Sequence, residues 1–220
     1  MADRWGLDGL SLAERFARIH ENNLWRAEGS VSGPGSEVEA TETLRRELPQ
    51  LLVTLGVRKL LDAPCGDGEW MSRAELGVAY VGMDIVPSVV EKAQARSAGG
   101  DYLVGDITQD ALPRADAILC RDCLVHLSFA NIRLALANIH RSGAKWLITT
   151  TFPSLQVNRE CVDGYWRPLN LELEPFSWPP PQHLLVEDCT EGRGAWKDKS
   201  LGVWKLEDLT HLLAPSPDDG

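Results

Sequence analysis

The feature that most constrains this chain is the segment KLLDAPCGDG at residues 59–68. It has the pattern of a short apolar strand that ends at Asp62 and then turns through Gly66 and Gly68 into a helix. Glycines permit tight turns and a close approach of a ligand to the backbone. The segment therefore predicts a cradle for a nucleotide-like ligand at the end of a strand.

Two further segments repeat the pattern of an apolar strand that ends in an acid. AYVGMD ends at Asp84 and DYLVGD ends at Asp106, at equal spacing along the chain. A single acid in this position commonly caps the following helix. Three acids at successive strand ends instead favour a doubly wound α/β sheet whose ligand lies across the carboxyl ends of the strands.

The rest of the chain continues the alternation of strands and helices, which predicts a parallel sheet covered on both faces. Capping boxes at Ser11 with Glu14 and at Ser36 with Glu39 predict two N-terminal helices, the second extending to Leu55. Further helices are predicted at 69–76, 87–97, 128–141 and 206–213, further strands at 115–120 and 145–151, a hairpin from HLLVEDC and SLGVWKL, and a frayed tail, APSPDDG.

Composition narrows the class of protein. The 220 residues suit one domain, and the net charge of −10, from 22 basic and 32 acidic residues, disfavours long nucleic acids as partners. No apolar run is long enough to cross a membrane, and the N-terminus lacks the pattern of a signal peptide, so we expect a cytoplasmic protein. Cys120 and Cys123 form a C-x-x-C without a second pair, and no metal site is predicted.

Other nucleotide-binding folds share the strand, loop and acid. A dinucleotide fingerprint requires a third glycine at the position of Met71, and no Gly-Lys-Ser/Thr of a P-loop follows. The acids near the loop would repel phosphate and attract a cationic ligand. An NAD-dependent reductase is therefore the last of the alternatives.

The segments DAPCGDG, VGMDI, VGDI and ILCRDCLVHLS, with the terminal pair of strands, resemble class I S-adenosylmethionine-dependent methyltransferases. The resemblance implies a Rossmann-like sheet of seven strands in the order 3-2-1-4-5-7-6, with the last strand antiparallel. It also implies a helical N-terminal lid over residues 1–56 and a methyltransferase domain over 57–220, with a substrate-facing insertion at 152–182. Pro64 departs from the family pattern, which has glycine there, and so stiffens the first turn.

The resemblance also implies the residues that bind the cofactor, S-adenosylmethionine. Asp62 approaches the ammonium of its methionine half, Asp84 accepts both ribose hydroxyls, and Asp106 accepts the adenine amine. The other implied cofactor residues are Pro64, Gly66, Gly68, Ile85, Ile107, Cys120, Arg121, Trp25 in the lid, and Arg45 (or Arg46) for the cofactor's carboxylate.

The segment CRDCLVHLS supplies candidate catalytic residues. Asp122 and His126 are four residues apart, so a helical turn would place them on one face. His126 is the preferred base because the ordinary pKa of histidine lies near neutrality. A histidine that only packs against the fold remains the alternative.

The insertion after the fifth strand is the candidate substrate wall, because it holds polar groups among aromatic residues. The candidate substrate residues are Thr150, Asn158, Tyr165, Trp166 and Arg167. The alternative is a proline-rich loop that only covers the sheet.

Together these features predict a methyltransferase that modifies an oxygen or nitrogen of a small molecule or short peptide, in specialised metabolism. The alternatives are a protein or nucleic-acid methyltransferase and a non-catalytic partner that binds the cofactor. The acceptor, the oligomeric state and a metal requirement stay open.

Overall fold

The computed structural model describes residues 3–97 and 99–210, which form one seven-stranded sheet with helices on both faces. The strands are β1 (Lys59–Asp62), β2 (Ala79–Asp84), β3 (Asp101–Val104), β4 (Ala117–Cys120), β5 (Trp146–Thr151), β6 (His183–Val186) and β7 (Ser200–Lys205). The α-helices are α1 (Leu12–Glu21), α2 (Glu42–Thr54), α3 (Pro87–Arg96) and α4 (Phe129–Arg141).

The strand order is β3-β2-β1-β4-β5-β7-β6. Strands β1 to β5 are mutually parallel, and β7 runs antiparallel to both of its neighbours. This confirms the predicted Rossmann-like fold and its strand order. Because the chain order reverses between β1 and β4, the carboxyl ends of these two strands flank the crevice where such sheets bind ligands.

Two apolar cores lie on the two faces of the sheet. One packs β1, β4 and β5 against α4 and the insertion, through residues such as Ile132, Leu136 and Leu171. The other packs the sheet against Leu44 and Leu48 of α2. The central strands are buried on both faces, as continuous apolar runs predict for a parallel sheet. The rigid sheet therefore fixes the positions of the acids at its strand ends.

The N-terminal helices begin differently from each other. Ser11 and Glu14 form the predicted capping box of α1, with reciprocal hydrogen bonds. The predicted capping box at Ser36 is wrong, because α2 begins only at Glu42, after two 3₁₀ turns at Pro34–Ser36 and Glu39–Thr41. The Ser36 hydroxyl donates to the carbonyl of Ser32 at 3.5 Å instead of capping a helix.

Two other predicted helices are shorter in the structure. The helix at 69–76 is a 3₁₀ turn at Met71–Arg73, because Ala74 takes extended backbone (φ −94°, ψ 129°) and the turn cannot continue. The C-terminal helix is a 3₁₀ turn at Leu206–Leu209. Its predicted extension to residue 213 and the tail APSPDDG lie outside the described residues.

The insertion at 152–182 contains no α-helix and no strand, and it contributes to the core. Leu169, Leu171 and Trp178 are buried beside α4 and β5. Within the described ranges, no helix has the length and apolarity needed to cross a bilayer.

Candidate functional site

A cavity opens at the carboxyl ends of β1, β2 and β4, and we call it the strand-end cavity. It is lined by Leu12, Phe16, His20, Trp25, Ser32, Ser36, Asp62, Ala63, Pro64, Cys65, Gly66, Trp70, Met83, Asp84, Ile85, Gly105, Asp106, Ile107, Arg121, Asp122, Cys123, His126 and Leu127. All three predicted strand-end acids therefore face one space. The α1 helix and the loop after it supply the opposite wall.

Asp62 lies at the end of β1 and is almost completely buried. The hydroxyl of Tyr80 donates to its Oδ2 at 2.8 Å. Burial raises the pKa of Asp62 to about 7, although the hydrogen bond from Tyr80 and the charge of Arg121 oppose this. A buried carboxyl with a raised pKa is poised to ionise when a cationic group arrives beside it.

Asp84 lies at the end of β2, and the backbone fixes both of its oxygens. Its Oδ1 accepts from the amide of Val86 at 3.0 Å, and its Oδ2 accepts from the amide of Gly66 at 3.1 Å. Burial raises the pKa of Asp84, while the nearby His20 and the backbone amides oppose the rise. The carboxylate has further lone pairs that can accept hydroxyl donors from a ligand.

Asp106 follows β3 and also lines the cavity, but much of its carboxylate serves the local turn. Its Oδ1 accepts from the amide and the hydroxyl of Thr108, at 2.8 and 2.6 Å, and its Oδ2 accepts from Gln109 at 3.0 Å. Asp106 therefore stabilises the local turn and at the same time lines the cavity. Ile85 and Ile107 line the cavity near it.

The two glycines of the loop have different surroundings. Gly66 has φ +57°, and a Cβ there would lie 2.5 Å from the Ser32 hydroxyl. Gly68 has φ +70°, and a Cβ there would lie 3.1 Å from the Cα of Ala93 in α3. Gly66 therefore accommodates the loop that covers the cavity, whereas Gly68 permits close packing of a helix and does not line the cavity.

Asp67, between the glycines, anchors the covering loop of residues 29–36. Its carboxylate accepts from the Ser30 hydroxyl at 2.8 Å and from the Val31 amide at 3.1 Å. Arg96 of α3 pairs with the same carboxylate at 2.9 Å. The Asp67 amide in turn donates to Ser32 at 2.9 Å. The glycine loop and the covering loop thus form one hydrogen-bonded unit.

The α1 helix and the residues after it cover the other side of the strand-end cavity. Phe16, His20 and Trp25 present their rings, with the Trp25 ring centroid 5.1 Å from that of His20 and 6.2 Å from that of Phe16. The Nδ1 of His20 lies 2.8 Å from the Val31 carbonyl. Because a carbonyl only accepts, Nδ1 is the donor of this hydrogen bond.

Beyond β4 lies a buried group of charged residues, which we call the ion cluster: Arg121, Asp122, Glu187, Glu191 and Lys199. Arg121 donates to both oxygens of Glu187, at 3.3 and 2.7 Å. Lys199 donates to Asp122 at 2.6 Å. Such pairs remain ionised only because each charge has a close partner.

Asp122 has a depressed pKa. Burial acts to raise it, but the ammonium of Lys199 and the guanidinium of Arg121 together hold the pKa well below its usual range. The residue has φ +49° and so precedes the 3₁₀ turn at Leu124–His126 without being part of it. The predicted helical turn from Asp122 to His126 is therefore wrong, although both residues line the same cavity.

His126 is partly buried, and desolvation of its imidazole lowers its pKa to about 4, against the opposing charge of Asp122. The prediction that the pKa of His126 lies near neutrality, as it does for an exposed histidine, is therefore wrong. Nδ1 lies 3.2 Å from the Tyr165 carbonyl, so Nδ1 donates and Nε2 keeps its lone pair. The Trp25 ring lies against the imidazole, with centroids 4.5 Å apart.

A second cavity adjoins the first, and we call it the tryptophan cavity. It is lined by Trp25, Ser32, Gly33, Pro34, Gly35, Asp122, His126, Phe152, Trp166, Glu191, Gly192, Trp196 and Lys199. Trp25, Ser32, Asp122 and His126 line both cavities. The two spaces therefore meet at the candidate catalytic residues.

Several predicted site residues lie outside both cavities. Cys120 is buried, and its carbonyl accepts from Thr149 at 2.7 Å. Arg45 donates to the Val38 carbonyl at 3.1 Å, and Arg46 is exposed and pairs with Glu47 at 2.7 Å. The structure brings none of these side chains to the cavity walls.

The predicted substrate residues have different locations. Trp166 lines the tryptophan cavity. The Thr150 hydroxyl accepts from the Asp122 amide at 2.8 Å. It therefore helps to position Asp122 but lines neither cavity. Tyr165 stacks on Trp5, with centroids 4.5 Å apart.

Asn158 and Arg167 donate hydrogen bonds to backbone carbonyls and line neither cavity. Asn158 donates to the carbonyls of Asn170 and Glu174, at 2.8 and 2.9 Å. Arg167 donates to the carbonyls of Leu124 and Leu127, both at 2.7 Å. Arg167 therefore holds the 3₁₀ turn of His126 in place without lining a cavity.

Sequence reasoning missed the cavity residues that come from distant segments. In the strand-end cavity these are Leu12, Phe16, His20, Ser32, Ser36, Trp70 and Cys123, and in the tryptophan cavity they are Phe152, Glu191, Trp196 and Lys199. A tryptophan in a connector rich in glycine and charge was the available signal for Trp196, because such a large apolar ring seeks a packed wall.

The charged groups on the strand-end cavity favour a cationic ligand. Four carboxylates line it, those of Asp62, Asp84, Asp106 and Asp122, against the guanidinium of Arg121. Arg121 is itself paired with Glu187. A phosphate would lie among carboxylates and meet repulsion. These carboxylates therefore fit a nucleoside that bears a sulfonium and no phosphate.

Comparisons with known proteins identify methyltransferases as relatives of this chain. The family described as methyltransferase domain matches residues 60–144. An uncharacterized methyltransferase of Mycobacterium tuberculosis is 31% identical over 156 residues, which cover 60% of this chain and 75% of that protein. The malonyl-[acyl-carrier protein] O-methyltransferase of Serratia marcescens is 34% identical over 118 residues, covering 51% of this chain and 46% of that protein.

Solved structures share the fold. Magnesium protoporphyrin IX methyltransferase of Synechocystis PCC 6803, with bound S-adenosylmethionine, has a TM-score of 0.52 at 17% identity and covers 70% of this chain and 82% of that one. The N-methyltransferase NodS of Bradyrhizobium japonicum WM9, with S-adenosylhomocysteine, has a TM-score of 0.51 at 17% identity and covers 63% and 74%. Similarity at this level establishes the fold alone.

Proposed function

This chain belongs to the class I S-adenosylmethionine-dependent methyltransferases, and on that premise we propose that it methylates an oxygen or nitrogen of a small molecule or short peptide. The observation that carries the proposal is the junction of the two cavities at Trp25, Asp122 and His126. One cavity has the acids for a cationic nucleoside, and the other has aromatic walls for an acceptor. A methyl group held at the junction would face both.

The residues that would hold S-adenosylmethionine are those of the strand-end cavity. Asp62 is placed for the ammonium, Asp84 for the ribose hydroxyls, and Ile85 and Ile107 for packing on the adenine. Asp106 retains acceptor capacity on Oδ2 for the adenine amine. When bound, the cofactor supplies an electrophilic methyl group on a sulfonium.

The covering loop and α1 would exclude water from the transfer. The loop is fixed over Gly66 through Ser32 and through Asp67. Trp25 follows α1 and lines both cavities, so it would seal the junction between them. Exclusion of water strengthens the electrostatic interactions of the site and prevents side reactions.

His126 is our candidate proton acceptor. Its Nδ1–H is held by the Tyr165 carbonyl, which leaves the Nε2 lone pair available. Its low pKa makes it neutral at pH 7 and a weak base. The charge of Asp122 raises that pKa and would stabilise the imidazolium during transfer. Asp122 itself stays ionised and would orient the acceptor.

The charge of the chain argues against a nucleic acid as the acceptor. The net charge of −10 disfavours a nucleic acid, because phosphate contacts need basic surface. A cytoplasmic location and a role in specialised metabolism remain predictions. The similar proteins include an O-methyltransferase and an N-methyltransferase, so the proposal keeps both oxygen and nitrogen as acceptor atoms.

The experiment is a transfer assay with S-adenosylmethionine labelled in its methyl group. A desalted cell extract and a small-molecule fraction are incubated with the protein and with the Asp84→Ala variant, which controls for enzymes of the extract. We expect protein-dependent label in the small-molecule and peptide fraction. Label that enters only nucleic acid or large proteins, or that is equal for both forms, would contradict the proposal.

A further inference from the structure

The walls of the tryptophan cavity are aromatic on two sides. Phe152, Trp166 and Trp196 pack edge to face, with ring centroids 5.0 to 6.0 Å apart. Trp25 and His126 stack together and also line the cavity. Trp166 is 41% exposed, which is unusual for so large an apolar ring. Trp166 therefore presents apolar ring surface to the cavity, which favours a ligand that packs on it.

The charges of the ion cluster do not balance. The ammonium of Lys199 is closest to Asp122 at 2.6 Å and Glu187 at 3.4 Å, and Arg121 pairs with Glu187. Glu191 is the third carboxylate, and it lies 3.7 Å from Lys199, outside hydrogen-bond distance. The cluster therefore contains two cations and three carboxylates.

Glu191 is also the most accessible carboxylate of the cluster. Its side chain is 35% exposed, against 1% for Glu187 and 19% for Asp122. Its other polar contact is the Cys189 thiol at 3.6 Å, and a thiol is a weak donor. Because Glu191 lines the tryptophan cavity, the excess negative charge is presented to whatever enters there.

From the aromatic walls and the excess carboxylate, we infer that the tryptophan cavity selects an acceptor that carries a protonated amine, bound against the tryptophans and paired with Glu191. Aromatic faces attract cations, and a desolvated carboxylate beside them adds to the attraction. An anionic acceptor would meet the unbalanced charge of Glu191, and a neutral alcohol would gain no charge-assisted bond. The inference rests on the proposed function, in which this cavity holds the acceptor.

The test compares three probes of similar shape on the protein saturated with S-adenosylhomocysteine: 2-phenylethylamine, 2-phenylethanol and phenylacetate. Calorimetry and tryptophan fluorescence measure their affinities. We expect the amine to bind about tenfold more tightly than the alcohol and phenylacetate to bind most weakly. The Glu191→Gln variant keeps the shape of the side chain and should remove the preference for the amine.

Two further variants complete the design. Trp166→Leu should weaken binding of the amine and of the alcohol, because both lose the aromatic wall. Glu207→Gln changes an exposed carboxylate outside both cavities and should leave all three affinities unchanged. Binding of S-adenosylhomocysteine is measured first on each variant to show that the site is folded.

The outcomes separate the inference from the proposed function. Equal affinities for the three probes, tighter binding of phenylacetate, no saturable binding of the amine, or an unchanged preference in Glu191→Gln would overturn the inference. A wild-type protein that binds no S-adenosylhomocysteine would instead defeat the proposed function. The same panel on the free protein would then still report the selectivity of the cavity.

Discussion

The two cavities are built in different ways. In the strand-end cavity, the acids lie at the ends of adjacent parallel strands and are fixed by nearby residues, as Asp84 is by Val86 and Gly66. In the tryptophan cavity, the side chains come from the covering loop, the turn after β4, the insertion and the connector before β7. Its ion pairs join residues far apart in the chain, such as Arg121 and Glu187.

The two cavities therefore depend on different parts of the fold. The acids of the strand-end cavity are positioned by the sheet, whereas α1 and the covering loop supply its opposite wall. The tryptophan cavity is built from loops and from the ion cluster, whose side chains come from segments far apart in the chain. We therefore expect the strand ends to determine the choice of cofactor and the attached segments to determine the choice of acceptor.

The largest predicted effect concerns the ion cluster. It tests whether these charged residues stabilise the folded protein around the tryptophan cavity. Glu187→Ala should lower the free energy of unfolding by about 3–5 kcal/mol, because the buried Arg121 loses the carboxylate that accepts two of its hydrogen bonds and keeps the carboxylate of Asp122, at 3.3 Å. Chemical denaturation measures this. Glu207→Ala, at an exposed carboxylate, is the control and should change stability little. Equal stability of the two variants would show that the cluster is not structural.

A smaller effect concerns the contact between the glycine loop and the covering loop. Gly66→Ala should cost about 1–3 kcal/mol and weaken S-adenosylhomocysteine binding, because the φ of +57° is strained and the new Cβ meets Ser32. Gly77→Ala is the matched control, since it has φ +68° and open space around its Cβ.

The control separates backbone strain from loss of the contact. Gly77→Ala should lose stability through strain alone and should bind the ligand normally. If Gly66→Ala also binds the ligand with wild-type affinity, the covering loop does not contribute to the strand-end cavity. Denaturation and calorimetry on the two variants decide this.

The smallest effect is the pH dependence of ligand binding. The pKa of Asp62 is raised to about 7 mainly by burial, and an ammonium beside it requires the ionised form. S-adenosylhomocysteine affinity should therefore fall about tenfold for each pH unit below 7 and level off above it. Asp62→Asn should bind more weakly at pH 8 and show a flatter profile; an unchanged profile would remove Asp62 from the ammonium site.

The same shift affects the stability of the free protein. A carboxyl whose pKa is raised on folding binds its proton more tightly in the folded state. The free energy of unfolding therefore falls as the pH rises from about 4 to about 7, and is constant in this respect above that range. Asp62→Asn should remove this decline, which denaturation at several pH values would show.

The sequence predicted the part of the molecule that is governed by local patterns. The apolar runs gave the strands, and the acids that end them, Asp62, Asp84 and Asp106, line one cavity because parallel strands end at the same edge. The resemblance supplied the strand order and the terminal antiparallel strand. The 3₁₀ turn at Met71–Arg73 was missed because local propensity favours a helix there and packing overrides it.

The tryptophan cavity and the ion cluster were harder to predict, because they depend on contacts between residues far apart in the chain. Lys199 and Glu191 are ordinary charged residues in the sequence, and only the fold brings them to Asp122. Arg167 and Asn158 resembled recognition groups, but a proline-rich segment leaves backbone carbonyls without strand or helix partners. Asn158 and Arg167 donate to two such carbonyls, those of Asn170 and Arg159.

The central claim is that the strand-end cavity binds S-adenosylmethionine through the acids of its strands. Calorimetry with S-adenosylmethionine, and separately with NAD as the alternative adenine-containing ligand, tests it on the wild-type protein, on Asp84→Ala and on the exposed Asp101→Ala control of the neighbouring strand. We predict saturable binding of S-adenosylmethionine alone, unchanged in Asp101→Ala and weakened about tenfold or more in Asp84→Ala. Absence of binding, preference for NAD, or full affinity in Asp84→Ala would contradict the account.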